Sequence, residues 1–269
     1  MQPLLSGVDE GSAMPAGGSL PAALCIGSIG VAYWYLLVFG AAAAASGLPV
    51  PDWLPLVPGW PPSDADLAPV LVDSENFFYL PAVLEKLGLS STPAATDLPV
   101  LRLSLFNFAE AWAFAFLPAL LADRKRLPSA VVLFVWLGAL ALTNAFLAPY
   151  LAVREAFALG ELARENPEEE PSAAAAAALA ARVGGVTVGG LAAAVSAFAL
   201  GNAVLNGGGE LDEFIQLAVS DRTYLAFLVD LSLFGAFQAW LMRDVPCERM
   251  DEPSLRFVPF IGLVAWLLL

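Results

Sequence analysis

The chain has 269 residues, of which 59% are hydrophobic and 14% are charged, and its formal net charge is −14 at pH 7. This charge excludes nucleic acid as a partner, because binding it requires Lys and Arg to neutralise phosphates. The chain has no histidine, the commonest metal ligand and general base, and its two cysteines are too few for a zinc site, so we expect no metal centre. A soluble domain carries roughly 25% charged residues, so the composition indicates a membrane protein.

Six apolar runs approach the length of a membrane span. A bilayer core about 30 Å thick requires around 20 apolar residues per helix, and continuous runs favour helices over strands. The runs are Ala22–Ala45, Leu101–Ala122, Leu127–Val153, Ala181–Val204, Thr223–Met242 and Leu255–Leu269. The sequence therefore predicts an all-α fold, a polytopic transmembrane helical bundle with about six spans. It forms a single domain over 22–269 after an N-terminal extension over 1–21.

The connections between the runs differ in character. The loop over 46–100 is rich in proline, which lacks an amide donor and indicates extended and turn structure, although Glu75–Leu89 is expected to form a short surface helix. Asp123–Arg126 predicts a tight turn between antiparallel neighbours. The loop over 154–171 is acidic, and Pro171 is expected to start the next helix. Because the last run ends at Leu269 without a polar anchor, we expect the natural chain to continue.

Few polar side chains interrupt the predicted spans: Asn107, Glu110, Asn144, Asp230 and Gln238. An acid at the bilayer centre costs roughly 3 kcal/mol, so each should face the interior and be paired. Three hypotheses follow: a proton relay, oxygen ligands for the magnesium of chlorophyll in place of histidine, or a structural polar clamp between helices. Asn107 and Asn144 lie at similar depth counted from the turn, so we expect a hydrogen bond between them.

Small residues recur every fourth position in the fourth run. They are Ala181, Gly185, Gly189, Ala193, Ala197 and Gly201. Such a ridge lets another helix, or a flat ligand, approach the backbone closely. The pattern predicts a helix-packing groove, with a pigment or partner groove as the alternative.

Two regions carry a resemblance to a known family. They contain LSLFNFAEAWAFAFLPALLADRKRLPSAVV and FLAPYLAVRE in the first half, and FIQLAVSDRTYLAFLVDLSLFGAFQAWLM and FVPFIGLVAWLLL near the end. Together they resemble a family of cyanobacterial and plastid integral membrane proteins of unassigned function. The resemblance covers roughly 40% of the chain. It implies a photosynthetic membrane and supplies no catalytic residues.

The resemblance and the composition give a leading hypothesis. We expect a non-catalytic accessory or linker subunit of a chloroplast thylakoid complex, joining a photosystem core to light-harvesting antenna subunits, with chlorophyll, carotenoid and lipids as bound cofactors. The alternative is a small membrane transporter or proton-coupled carrier that uses Glu110 and Asp230. A membrane enzyme acting on carotenoid or lipid is the third hypothesis, against which the lack of histidine and of catalytic motifs counts.

Overall fold

The computed structural model describes residues 19–39, 47, 72–89, 98–123, 125–161, 171–220, 222–245 and 253–268. This part of the chain is all-helical and contains no strand, so the all-α part of the prediction is confirmed. The helices are α1 (Leu20–Tyr33), α2 (Leu80–Lys86), α3 (Val100–Ala122), α4 (Ser129–Leu142), α5 (Asn144–Glu161), α6 (Pro171–Asn206), α7 (Leu211–Ser220), α8 (Arg222–Leu241) and α9 (Ile261–Leu268).

Four helical segments among the described residues are long and apolar enough to cross a membrane. They are Leu20–Val38, which continues α1 through a π-helical turn, Val100–Ala122, Gly184–Asn206 and Tyr224–Leu241. They correspond to the first, second, fourth and fifth predicted runs. The predicted count of about six is not confirmed, because the other two runs are broken.

The third predicted run, 127–153, folds as a hairpin of two helices. Thr143 separates α4 from α5 with φ 40° and ψ −116°, an uncommon conformation for a β-branched residue. The chain reverses there, so the rings of Phe134 and Phe146 meet with centroids 5.9 Å apart. Gly138 makes this close approach possible, since a Cβ there would lie 2.4 Å from the Phe146 ring. The predicted acidic loop over 154–171 is also wrong at its start, because α5 continues to Glu161.

The sixth predicted run, 255–269, is a second broken segment. A 3-10 turn over Pro253–Phe257 is followed by Phe260 with φ 59° and by the eight-residue α9. At 1.5 Å per residue α9 measures about 12 Å, much less than a bilayer core. The Phe260 ring lies against Phe108 and Trp112 of α3, with centroids 5.2 and 5.9 Å apart. The segment therefore returns into the bundle instead of crossing it.

Helix α3 lies at the centre of the bundle, and its two ends define the two ends of the molecule. At the Arg102 end, the Glu210 carboxylate accepts hydrogen bonds from Val100 N and Leu101 N at 3.0 and 2.8 Å, and so caps α3. At the Arg154 end, Asp123, Arg154 and Asp244 meet. Because Asp123 and Arg154 both lie there, the α4–α5 hairpin enters and leaves the bundle at this end.

The turn after α3 and the start of α6 agree with their predictions. Arg126 N donates to Asp123 O in the turn, and Trp136 Nε1 of α4 donates to Ala113 O of α3 at 3.2 Å, as expected for antiparallel neighbours. Helix α6 begins at Pro171 and has 36 residues. It therefore measures about 54 Å, well beyond the roughly 30 Å of a bilayer core.

The small-residue ridge of α6 does not form one groove. Gly185 and Gly189 pack against Leu267 of α9, as a packing groove requires. Ala193 and Gly201 are half-buried and Ala197 is exposed. The ridge turns away because each four-residue step rotates by about 40° around the helix. The structure thus places the first two glycines of the ridge against α9 and Ala197 on the exposed side, and the buried face continues through Ala192, Ser196 and Ala199.

Candidate functional site

The five polar residues predicted from the sequence are all buried, and they fall into separate groups. Their exposed fractions are at most 5%. Asn107 contacts the segment before α2, Gln238 contacts the segment before α9, and the other three lie together where the α4–α5 hairpin reaches α8. The structure thus contains two clamps and one polar centre.

The polar centre forms around Asp230, near the middle of α8. Asn144 Nδ2 donates to Asp230 Oδ1 at 2.7 Å and also approaches the Asp230 carbonyl at 3.3 Å. The hydroxyls of Tyr33 and Thr143, 3.1 Å apart, also interact with this carboxylate. Glu110 of α3 lies within electrostatic range of it. We call Tyr33, Glu110, Thr143, Asn144 and Asp230 the Asp230 cluster.

The helix break at Thr143 builds this cluster. It leaves the last carbonyls of α4 and the first amides of α5 without ordinary helical partners. Thr143 O accepts from Phe146 N and Leu147 N, and Trp34 Nε1 of the neighbouring segment donates to Ala145 O at 2.9 Å. Irregular backbone within a membrane is tolerated only where protein buries it or water reaches it. Here protein buries Asn144 and Ala145, Thr143 is half-buried, and polar groups converge on Asp230.

Two oxygen atoms of the cluster are left over. Within the described part of the chain, Glu110 Oε2 and Asn144 Oδ1 are buried and have no hydrogen-bond partner. The orientation of the Asn144 amide is fixed, because both atoms near its nitrogen are acceptors. Buried polar atoms are normally satisfied. The cluster therefore has more acceptors than donors and would be completed by a proton or a cation.

Asn107 forms the first clamp. Its Oδ1 accepts from Tyr79 N at 3.2 Å, and its Nδ2 donates to Leu103 O at 3.0 Å. The predicted hydrogen bond between Asn107 and Asn144 is wrong. The tip of the hairpin places the Asn144 side chain against α8, where it donates to Asp230. Asn107 holds an irregular turn in which Phe78 and Tyr79 have φ of 54° and 52°.

Gln238 forms the second clamp, which holds the last described segment. Its Oε1 accepts from Trp112 Nε1 at 3.0 Å and from Phe260 N at 2.9 Å. Its Nε2 donates to Val258 O at 2.8 Å and to Arg256 O at 3.2 Å. Both lone pairs and both N–H groups are thus used. This arrangement favours the polar-clamp hypothesis for Gln238 over ligation of a pigment.

A charged cluster at the Arg154 end was not found from the sequence. Arg154 Nη2 lies 2.7 Å from Asp123 Oδ1 and 2.8 Å from Asp244 Oδ2, and Lys125 Nζ lies 3.0 Å from Asp244 Oδ2. Glu155 Oε2 accepts from Ser19 N at 3.2 Å. These charges join the start of α1 to the end of α3, the interior of α5 and the end of α8. The sequence feature that could have indicated this cluster is that its charged residues lie near the ends of predicted spans.

The electrostatics of this cluster favour the ionised form of Asp244. Burial opposes the charge on Asp244. Hydrogen bonds from Arg243 and Lys125 and the charge of Arg154 outweigh the burial, so the pKa of Asp244 falls below its ordinary value of 3.8. Each carboxylate has at least one cationic partner within the described residues. We therefore assign this cluster a structural role.

No family model, curated protein or solved structure matches the chain. The described residues also contain no group of three or more Cys, Asp or Glu side chains placed to hold a metal ion. The Asp230 cluster and the four helices long and apolar enough to cross a membrane are the features that bear on function.

Proposed function

We propose that this chain is an integral membrane protein, specifically a small membrane transporter in which Glu110 and Asp230 bind the ion that drives or accompanies transport. Two carboxylates near the middle of spanning helices are costly, and such residues most often mark an ion or substrate pathway. The observation that carries the proposal is the buried Oε2 of Glu110, which has no hydrogen-bond partner within the described part of the chain and lies within electrostatic range of Asp230.

The helix break supports the same function. Many secondary transporters place their ion sites near the bilayer midplane, where discontinuous helices expose backbone and side-chain oxygens. Here Thr143 and Asn144 form the break, and Asn144 bonds directly to Asp230. A hairpin that enters and leaves at one end is also a unit of the kind that alternating access moves against the rest of a bundle.

Flux measurements in proteoliposomes test the transporter function. The full-length chain is reconstituted, and the movement of protons (by an internal pH dye) and of Na⁺ (by radioactive tracer) is followed under an imposed gradient. We expect at least one flux to exceed that of protein-free liposomes and to fall about tenfold or more in Asp230→Asn, as for an ion-site ligand. Asp212→Asn, an exposed acid on α7, is the matched control. Fluxes equal to those of protein-free liposomes for both ions would contradict the function.

An accessory subunit of a photosynthetic membrane complex is the second candidate. The resemblance to plastid membrane proteins favours it, as does the outer face of α4, where Phe134 and Leu137 are 66% and 59% exposed. Chlorophyll or carotenoid would then contact such outer faces instead of the five buried polar residues. Native electrophoresis of thylakoid membranes tests this: the subunit should migrate with photosystem–antenna supercomplexes, and migration alone would exclude the linker role. In both candidates the chain carries out no chemical conversion.

A further inference from the structure

We propose that the Asp230 cluster is a binding site for a monovalent metal cation, Na⁺, held between Glu110, Asp230 and Asn144. The inference rests on the proposed function, because it names the ion that the transporter binds. Binding and transport are measured by different experiments, however, so each can fail alone.

The two leftover oxygens are the first argument. In the part of the chain that the structure describes, Glu110 Oε2 and Asn144 Oδ1 lack a donor, and Asn144 is fully buried. Asn144 also bonds to Asp230, so its free oxygen lies beside that carboxylate. A buried acceptor without a donor costs about 1 to 3 kcal/mol. A cation placed between these oxygens would remove the cost for both.

Charge is the second argument. In the described residues, no salt bridge joins Glu110 or Asp230 to a Lys or Arg. This contrasts with the Arg154 end, where each carboxylate of the cluster contacts a cation. Buried carboxylates without a counter-ion are strongly disfavoured. The Asp230 cluster is therefore the place in the described bundle where a cation from solution would be held most strongly.

The kind of oxygen decides the kind of cation. The cluster offers carboxylate, amide and hydroxyl oxygens, which suit hard cations, and it has neither sulfur nor imidazole. The Thr143 and Tyr33 hydroxyls can rotate to accept as well as donate. Ca²⁺ requires six to eight oxygens, and Mg²⁺ keeps several waters. Part of the Asp230 carboxylate is already used by Asn144, so the remaining set fits the smaller demand of Na⁺.

Thermal unfolding of the full-length chain in detergent tests binding, with tryptophan fluorescence as the readout. NaCl is titrated against choline chloride at constant ionic strength, with KCl and CaCl₂ as parallel series. We expect a saturable rise of the midpoint with Na⁺ that exceeds the rise with K⁺ or Ca²⁺. Asp230→Asn and Glu110→Gln should each require at least tenfold more Na⁺ for the same rise, whereas Asp212→Asn should respond like the wild type.

The titration of the wild type alone tests whether the Na⁺ site exists, even if the cluster variants do not fold. A midpoint that responds equally to choline and Na⁺, or more strongly to Ca²⁺, would overturn the Na⁺ site. If protons nevertheless cross the vesicle membrane in a manner that depends on Asp230, the transporter function is supported although the Na⁺ site is not. If Na⁺ binds but neither ion crosses, the site stands and the transporter function falls.

Discussion

Asn144 Nδ2 lies 2.7 Å from Asp230 Oδ1 and so joins the tip of the α4–α5 hairpin to the middle of α8. The two residues are distant in sequence, and the contact exists only because the helix breaks at Thr143. Asn144 is the first residue of α5. The same residue thus begins the second helix of the hairpin and orients the acid of the candidate ion site.

Removing this contact should destabilise the fold. Asn144→Ala leaves the Asp230 carboxylate with one donor fewer, and we expect a loss of about 1 to 3 kcal/mol in the free energy of unfolding. Asn206→Ala, at an exposed position of α6, is the control and should change stability by about 0.5 kcal/mol or less. Denaturant titration in detergent measures both. Equal stability of the two variants would show that the contact carries no energy.

The hairpin also depends on a glycine. Gly138→Ala places a methyl group in overlap with the Phe146 ring, so either the ring or the two helices must shift. We expect a loss of about 1 to 3 kcal/mol, typical of overpacking. Gly190→Ala in α6 is the matched control, because no described atom lies within 4 Å of its added Cβ and alanine favours helix. The hairpin would be disproved if both variants were as stable as the wild type.

Gln238 should hold the segment 253–268 in the bundle. Gln238→Ala removes four hydrogen bonds, among them those of the Phe260 amide and the Trp112 indole. We expect hydrogen exchange over residues 260–264 to speed up at least tenfold, while exchange in α3 changes less. Gln216→Ala, on the exposed side of α7, serves as control. Unchanged exchange in this segment would mean that apolar packing alone retains it.

Acid should weaken the Arg154 end. Asp244 has a lowered pKa in the folded protein. Its stabilising effect is therefore complete above the ordinary value of 3.8 and is lost as the pH falls through the lower, folded value. Unfolding measured between about pH 6 and about pH 3 should show this decline. Asp244→Asn should be less stable at the upper pH, by about 3 kcal/mol for a broken buried pair, and should decline less. If the stability of Asp244→Asn declined with acid as much as that of the wild type, the pH dependence would have to come from other carboxylates.

The all-helical fold, and four helices long and apolar enough to cross a membrane, followed from the sequence because continuous apolar runs of sufficient length leave few alternatives. The two helix breaks did not. Thr143 lies within an apolar run that reads as continuous, and its positive φ depends on the packing of Phe146 against Gly138. Likewise, Pro259 predicts an interruption of the helix near Phe260, but it does not predict that the chain returns to contact Trp112. Both breaks arise from tertiary contacts that periodicity does not contain.

The candidate site was predicted in part. The rarity of polar residues in the spans identified Glu110, Asn144 and Asp230, since each must be paired in a bilayer. Their partners could not be derived, because the depth count assumed that α4 and α5 were one helix and so paired Asn144 with Asn107. Tyr33 and Thr143 gave no signal, as hydroxyls are common in apolar helices. The charged cluster around Arg154 was missed because its members lie in three separate segments.

Equilibrium binding of radioactive Na⁺ to the purified full-length chain tests the central claim most directly. Binding should be saturable, with one ion per chain, as expected for a single oxygen-lined site beside Asp230. Unlabelled Na⁺ should displace the tracer while choline should not, and Asp230→Asn should bind at least tenfold more weakly than Asp212→Asn. If the wild type binds no more Na⁺ than the Asp230→Asn variant, the Asp230 cluster is not a sodium site and its leftover oxygens must be satisfied in another way.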